Sequence, residues 1–316
     1  MSVICEIKKM NKTKRHVLIV AVVFVLAFFW FFASGCASTK INSKKDYDSY
    51  NLYEYPFEIE TLKDRFIFIR LYNPQYKNEL SPSAWLQKGC EIIETNEIYA
   101  SHSAIGFSLD DEFYGLTAYG EKKFKLEQCT DTSTNPYMNS CDPNKSMQTT
   151  FVIKVSKKEF EEARELTEKF LNNDISNYDV LQNFKIARKG LSKKFLIPKR
   201  IQKQINYSED FKAIEVITAE NASIKEDKKN SFVCSSLITY ILINSVKEVR
   251  NFVLYNYLDY KYFTPTDLAN FPGMKMLFTS SWADYNVAAN KYLEKYPDFK
   301  IGLSLQKKEN LALSEN

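Results

Sequence analysis

Asn230-Ser231-Phe232-Val233-Cys234-Ser235-Ser236-Leu237 leads into a stretch, Phe232 to Val246, that is apolar nearly all round. A helix without a polar stripe has no face to give to water, so this one belongs inside a domain. Asn230-Ser231 offers N-cap side chains just ahead of it, which puts Cys234 in the first turn. There the unpaired amide N–H groups and the positive end of the helix dipole favour a thiolate. A nucleophilic cysteine suits that position. A thiol on an apolar helix is also, more simply, a small hydrophobe of the core, so the reading needs a base to go with it.

The choice of base is short. The chain has two histidines, His16 in a cationic N-terminal leader and His102 beyond it. A zinc site built on histidines is therefore excluded, and Cys90, Cys129 and Cys141 lack metal-type spacing. No cofactor is called for. What can be built is one Cys-His pair. His102 opens the β-prone run Ser103 to Leu109, and a second such run, Phe113 to Tyr119, follows after Asp110-Asp111-Glu112, which together signal a hairpin. A strand would hold the imidazole rigidly against the end of the Cys234 helix. His102 would activate the thiol there, and the Cys234 N–H would serve a developing oxyanion.

Outward from this pair, Arg65 to Arg70 reads as a buried strand, Thr149 to Val155 continues the sheet, and residues 84–95 form a short helix or irregular segment. Ser156-Lys157-Lys158-Glu159 is a capping box, and Phe160, Ala163, Leu166, Phe170 and Leu171 recur at helical spacing to about Asn172. Residues 178–191 suit a second helix. Residues 192–230, Lys/Asp/Asn-rich with one strand-like run at Ile214 to Thr218, suit an insertion. The aromatic stretch Phe252 to Phe263 suits core and cleft wall. Thr264-Pro265-Thr266-Asp267-Leu268 starts a short helix, with Asp267 complementing its dipole rather than doing chemistry.

The N-terminus sets the compartment. Lys8, Lys9, Lys12, Lys14 and Arg15 precede an apolar run from Val17 to Ala33 that ends at Ser34-Gly35-Cys36, the order of a signal peptide read onto a cysteine. Ala33-Ser34-Gly35-Cys36 resembles the lipobox of bacterial lipoproteins. That resemblance implies a signal peptide over 1–35, a diacylglyceryl group on Cys36, a tether over 36–57 and a domain over 58–310 in the cell envelope, anchored by lipid and facing away from the cytoplasm. An uncleaved anchor is the other reading of the apolar run, and it leaves the domain on the same side. The leader's five cations and one anion account for the whole net charge of +4, so the remainder is neutral and no nucleic-acid partner is indicated. Apolar residues make up 45 % of the chain, enough for one large core. Export permits disulfides, and Cys129 and Cys141, flanking a Thr/Ser/Asn/Pro-rich loop, are the candidate pair.

Ser101-His102-Ser103-Ala104-Ile105-Gly106-Phe107 resembles the His strand of NlpC-type papain-like hydrolases, and the segment around Cys234 resembles their nucleophile helix. The His precedes the Cys, as in the permuted lecithin retinol acyltransferase-like and YaeF/YiiX-like branches. Phe263-Thr264-Pro265-Thr266-Asp267-Leu268 is similar to the TP-x-DL element of the YaeF/YiiX-like group. The resemblance implies an α+β, permuted papain-like fold, with an antiparallel sheet packed on the nucleophile helix. It implies thioester chemistry on amide bonds of peptides, cell-wall peptides included, or on acyl lipids. It also implies a polar third residue before an Ala on the second strand. Thr117 holds that place before Ala118, and Tyr119 and Glu121 share its strand parity. The alternative from another class is a non-catalytic envelope lipoprotein that uses the same fold as a binding module.

Overall fold

The computed structural model describes residues 50–54, 65–81, 84, 87, 100–117, 123–135, 137–172, 176–179, 230–255 and 260–314, within a compact unit that runs from Asp48 to Asn316. It is an α+β domain. Seven strands make one sheet: β1 (Tyr50–Leu52), β2 (Arg65–Asn73), β3 (His102–Gly106), β4 (Phe113–Leu116), β5 (Phe124–Glu127), β6 (Met147–Val155) and β9 (Lys275–Ser281). Their order is β1-β9-β6-β2-β3-β4-β5, with every neighbouring pair antiparallel. The parallel pair β7 (Ser176–Tyr178) and β8 (Asn230–Phe232) stands apart. Five helices complete the described chain: α1 (Lys157–Asn172), α2 (Cys234–Ser245), α3 (Lys247–Tyr255), α4 (Tyr285–Lys295) and α5 (Pro297–Ser314). Among the described residues no helix is long and apolar enough to cross a membrane.

The sheet is covered on both faces, which is why β2 reads Phe-Ile-Phe-Ile rather than alternating with polar residues. Ile67, Ile69 and Leu71 pack with Ile105, Leu116 and Ile153 against Phe160, Ala163 and Phe170 of α1 and Leu237 and Ile241 of α2. Phe66, Phe68 and Tyr72 point the other way and pack with Ala104 and Phe113 against Tyr285, Ala288 and Tyr292 of α4 and Phe299 of α5. A period of two thus sorts one strand's side chains into two cores. All twelve residues of α2 are buried, as its unbroken apolar sequence requires.

Local details depart from the sequence in instructive ways. Asn230-Ser231 does not cap α2 but belongs to β8. The N-cap is Val233, whose N–H is accepted by the Ser236 hydroxyl at 2.9 Å while that hydroxyl donates to the Val233 carbonyl at 3.1 Å. The strand from His102 stops at Gly106, so the hairpin connection spans 107–112. Order begins before residue 57: Tyr50 to Leu52 pairs with Ser280 to Phe278 on β9, and Tyr50 and Leu52 rest on the core. Cys129 and Cys141 are not bridged; both are buried free thiols. Asp111 holds the Cys129 N–H at 2.9 Å, and Cys141 forms a backbone bridge with Tyr76. Each end of the loop is tied to a different partner without a covalent link. Tyr178, where a helix was expected to start, ends strand β7 instead; residues 180–191 of that helix lie outside the described residues, as do the leader and Cys36, Cys90, the body of the 192–230 insertion and nearly all of 84–95.

The capping box that opens α1 also joins two helices. The Glu159 carboxylate accepts the Ser156 N–H at 2.9 Å and hydroxyl at 2.7 Å through one oxygen, and the Lys247 N–H at the head of α3 at 2.9 Å through the other. Glu159→Ala leaves three donors to water and should lower stability by about 1–2 kcal/mol. Urea unfolding of the wild type and the variant checks this: the midpoint should fall with the slope unchanged.

Candidate active site

His102 is the first residue of β3 and Cys234 the first of α2, so a strand start and a helix start deliver the two groups to one place. The thiol and the imidazole act directly on each other, each shifting the other's titration. On its other side the imidazole meets the carboxylate of Glu127, with His102 Nε2 at 2.7 Å from Glu127 Oε2. Nε2–H donates to the carboxylate, which leaves Nδ1 as the nitrogen that serves sulfur. All three groups are withdrawn from water: Cys234 is 4 % exposed, His102 and Glu127 1 % each.

The charges settle as a pair. Burial alone would push the Cys234 thiol up, but the charge and hydrogen bond of His102, with the N–H and hydroxyl of Ser103 beside the sulfur, bring it below the ordinary thiol range. Burial works against the imidazolium too. It is outweighed first by the Glu127 charge and then by Cys234, and His102 rises to about 10. Both shifts favour a thiolate facing an imidazolium, and Glu127, through its charge, is the largest support of the imidazolium. Its second oxygen, Oε1, accepts no hydrogen bond among the described residues, so the imidazolium is its main compensation.

Two rings lie against the imidazole, Tyr72 at 5.3 Å and Tyr137 at 5.2 Å between centroids. The Tyr72 hydroxyl accepts from Arg70 Nη1 at 3.2 Å. Arg70 is fully buried, lies 3.7 Å over Phe113 and 4.0 Å over Tyr285, and meets Asp111 at 2.8 Å. Asp111 in turn accepts the N–H groups of Cys129 and Thr130, each at 2.9 Å, and the Thr130 hydroxyl at 2.8 Å. That ion pair clamps the chain two residues beyond Glu127. It therefore fixes where β5 ends and where the carboxylate points.

The group on Nε2 is thus Glu127 on β5, not the Thr117 hydroxyl expected from the sequence. Thr117 is fully buried one residue past β4. Tyr119 and Glu121 lie outside the described residues. A signal for Glu127 was present: Gly115 inside the neighbouring strand marks a place where something approaches the backbone closely. Asp267 is structural: it accepts the Thr264 N–H at 2.8 Å, and its own N–H is accepted by the Thr264 hydroxyl at 3.3 Å. That box shapes the 3₁₀ turn Thr266–Asn270, and Ser235 on α2 donates to the Phe263 carbonyl just ahead at 2.6 Å. The segment from Phe263 to Leu268 therefore braces the start of α2. Among the described residues no group of three His, Cys, Asp or Glu side chains is placed to hold a metal ion.

No protein-family model matches the chain, and no curated protein or solved structure is significantly similar to it.

Glu127→Gln keeps the size of the side chain and removes its charge. The apparent pKa governing Cys234 alkylation should rise by about one unit or more, so labelling on the acid side of the wild-type midpoint should slow about tenfold or more. Thr117→Val should move the profile much less. Site-resolved mass spectrometry of full-length protein in detergent, treated with a small alkylating reagent across pH, reads both variants. The opposite ranking would return the third position to Thr117.

Proposed function

We propose that this chain is a cysteine hydrolase of permuted papain-like type, acting on amide bonds of peptides, cell-wall peptides among them, from an envelope membrane to which lipid on Cys36 anchors it. The single observation that carries the reading is the buried set Cys234, His102 and Glu127, in which the carboxylate meets Nε2 of the same imidazole that acts on the thiol. Supporting it are the sheet-borne base, the helix-borne nucleophile and the order of the two in the chain. A core thiol kept only for packing has no use for a charged partner, and burying three ionisable groups costs stability unless they act together.

The chemistry follows from the placement. The Cys234 thiolate adds to the amide carbonyl carbon, and the oxygen takes the negative charge within reach of the Cys234 N–H at the start of α2. His102 gives its proton to the departing nitrogen as the C–N bond breaks, leaving a thioester on sulfur and a neutral imidazole. A water then loses its proton to His102 and adds to the thioester; the C–S bond breaks, the acid departs, and the thiolate faces the imidazolium again. Glu127 stabilises the charged imidazole at both ends of the cycle, as a carboxylate does in a triad. An ester would be opened by the same steps, with an alcohol leaving.

Incubating the full-length protein with a panel of activated acyl amides and esters should yield a covalent acyl adduct on Cys234, detected by mass, that is absent in Cys234→Ala and in His102→Ala. Peptidyl amides should turn over faster than acyl esters of lipids. If Cys234 labels slowly with the profile of an ordinary thiol, unaffected by His102→Ala, the hydrolase gives way to a binding module. For the anchor, Cys36→Ala should release the protein from membranes and abolish incorporation of labelled fatty acid.

A further inference from the structure

His102 and Glu127 are not on neighbouring strands. The sheet runs β3-β4-β5, with Ala104 opposite Gly115 and Gly115 opposite Lys125. Two strand spacings, about 10 Å of sheet, separate the strand that bears the base from the strand that bears the carboxylate. The two side chains meet only because both lean over β4. The crossing point is visible in the space beside Gly115: a Cβ there would stand 2.5 Å from Glu127 Oε2, 2.6 Å from its Cδ and 2.8 Å from Oε1. All three distances are shorter than any ordinary non-bonded contact, so carboxylate and methyl cannot share the place.

We infer that Gly115 is a positioning residue of the site: the missing side chain on β4 is the gap through which Glu127 reaches His102. The inference deepens the proposed function, since it rests on His102 as the base and Glu127 as its partner. A glycine in a strand interior weakens the strand and packs nothing. Here the backbone needs no left-handed conformation, because among the described glycines only Gly273 has one. What the position requires is room. The obstructed atoms are the far end of a side chain and not backbone, so Gly115→Ala should leave the sheet intact and turn the carboxylate away from the imidazole. Phe113, on the same strand and the same face, shows the contrast: there a large ring covers the Arg70 guanidinium at 3.7 Å. Along one strand, a bulky residue seals the buried cation and a glycine two residues later opens the path of the buried anion.

The imidazole itself gives the cleanest readout. In full-length protein in detergent, with His16→Gln so that His102 gives the only histidine signal, the ring resonances of His102 are followed by NMR across pH. Gly115→Ala should lower the His102 pKa by about one unit or more, the size expected for losing an opposite charge at contact distance. Glu127→Ala should do the same. The double variant Gly115→Ala/Glu127→Ala should fall no further than Glu127→Ala alone, because the added methyl then enters vacated space. If Gly115→Ala fails to fold, the double variant should fold, since the conflict is with the carboxylate alone. A His102 titration unchanged by Gly115→Ala, an additive loss in the double variant, or unfolding of both would overturn the inference. Cys234 alkylation is read in parallel. An ordinary thiol profile in the wild type, together with a His102 titration that still answers to Gly115, would sink the hydrolase while leaving the Gly115 inference standing.

Discussion

An imidazole and a carboxylate 2.7 Å apart, both with 2 % of the side chain exposed, are the contact around which the domain is arranged. Moving either charge out of water is costly, and the cost is recovered only when the geometry is held tightly. The holding is distributed over four strands. Tyr72 on β2 lies against the ring of His102 on β3, Gly115 on β4 leaves the path clear, and Asp111 clamps the chain beyond β5. Asp111 is itself held by Arg70, a second buried ion pair on the same face of the sheet. The two ion pairs share Tyr72, whose ring meets His102 and whose hydroxyl meets Arg70.

The thiol comes with the helix of the other core. α2 packs with α1 on the opposite face, and its first residue, Cys234, acts on His102 at the start of β3. This division has a physical logic. The apolar body of α2 anchors the helix by burial, which is strong and non-directional. The ionisable groups sit on the face where polar partners are gathered, so neither requirement compromises the other. Ser236 on the Val233 N-cap and Ser235 on the Phe263 carbonyl then fix the helix start with hydrogen bonds, where burial alone would leave it free to slide.

Much of this was legible in the chain. α1 was readable nearly to the residue, because a capping box and a 3.6-residue apolar period describe it locally. The strands through Arg65 to Arg70 and Thr149 to Val155 were readable because β-branched and aromatic runs have few other uses. His102 and Cys234 stood out through scarcity, the first as the one histidine outside the leader and the second through its place before an apolar helix. What was not legible depends on contacts distant in sequence. Three polar-leaning residues at Tyr50 to Leu52 become a strand only because β9 offers an open edge. Asn230-Ser231 looks like a cap until the strand at Ser176 claims it. Glu127 was not legible because it lies on the strand beyond the one next to His102, and its carboxylate crosses that strand to reach the imidazole.

The parallel pairing of Ser176 to Tyr178 with Asn230 to Phe232, secured further by the Asp179 N–H on the Phe232 carbonyl at 2.7 Å, brings both ends of the intervening chain to one spot two residues before Cys234. For the history of the gene this is a permissive joint. Once the ends are stitched, the entropic cost of what lies between grows only with the logarithm of its length, about 0.6 kcal/mol for each doubling. Insertions and deletions there can accumulate without moving the sulfur.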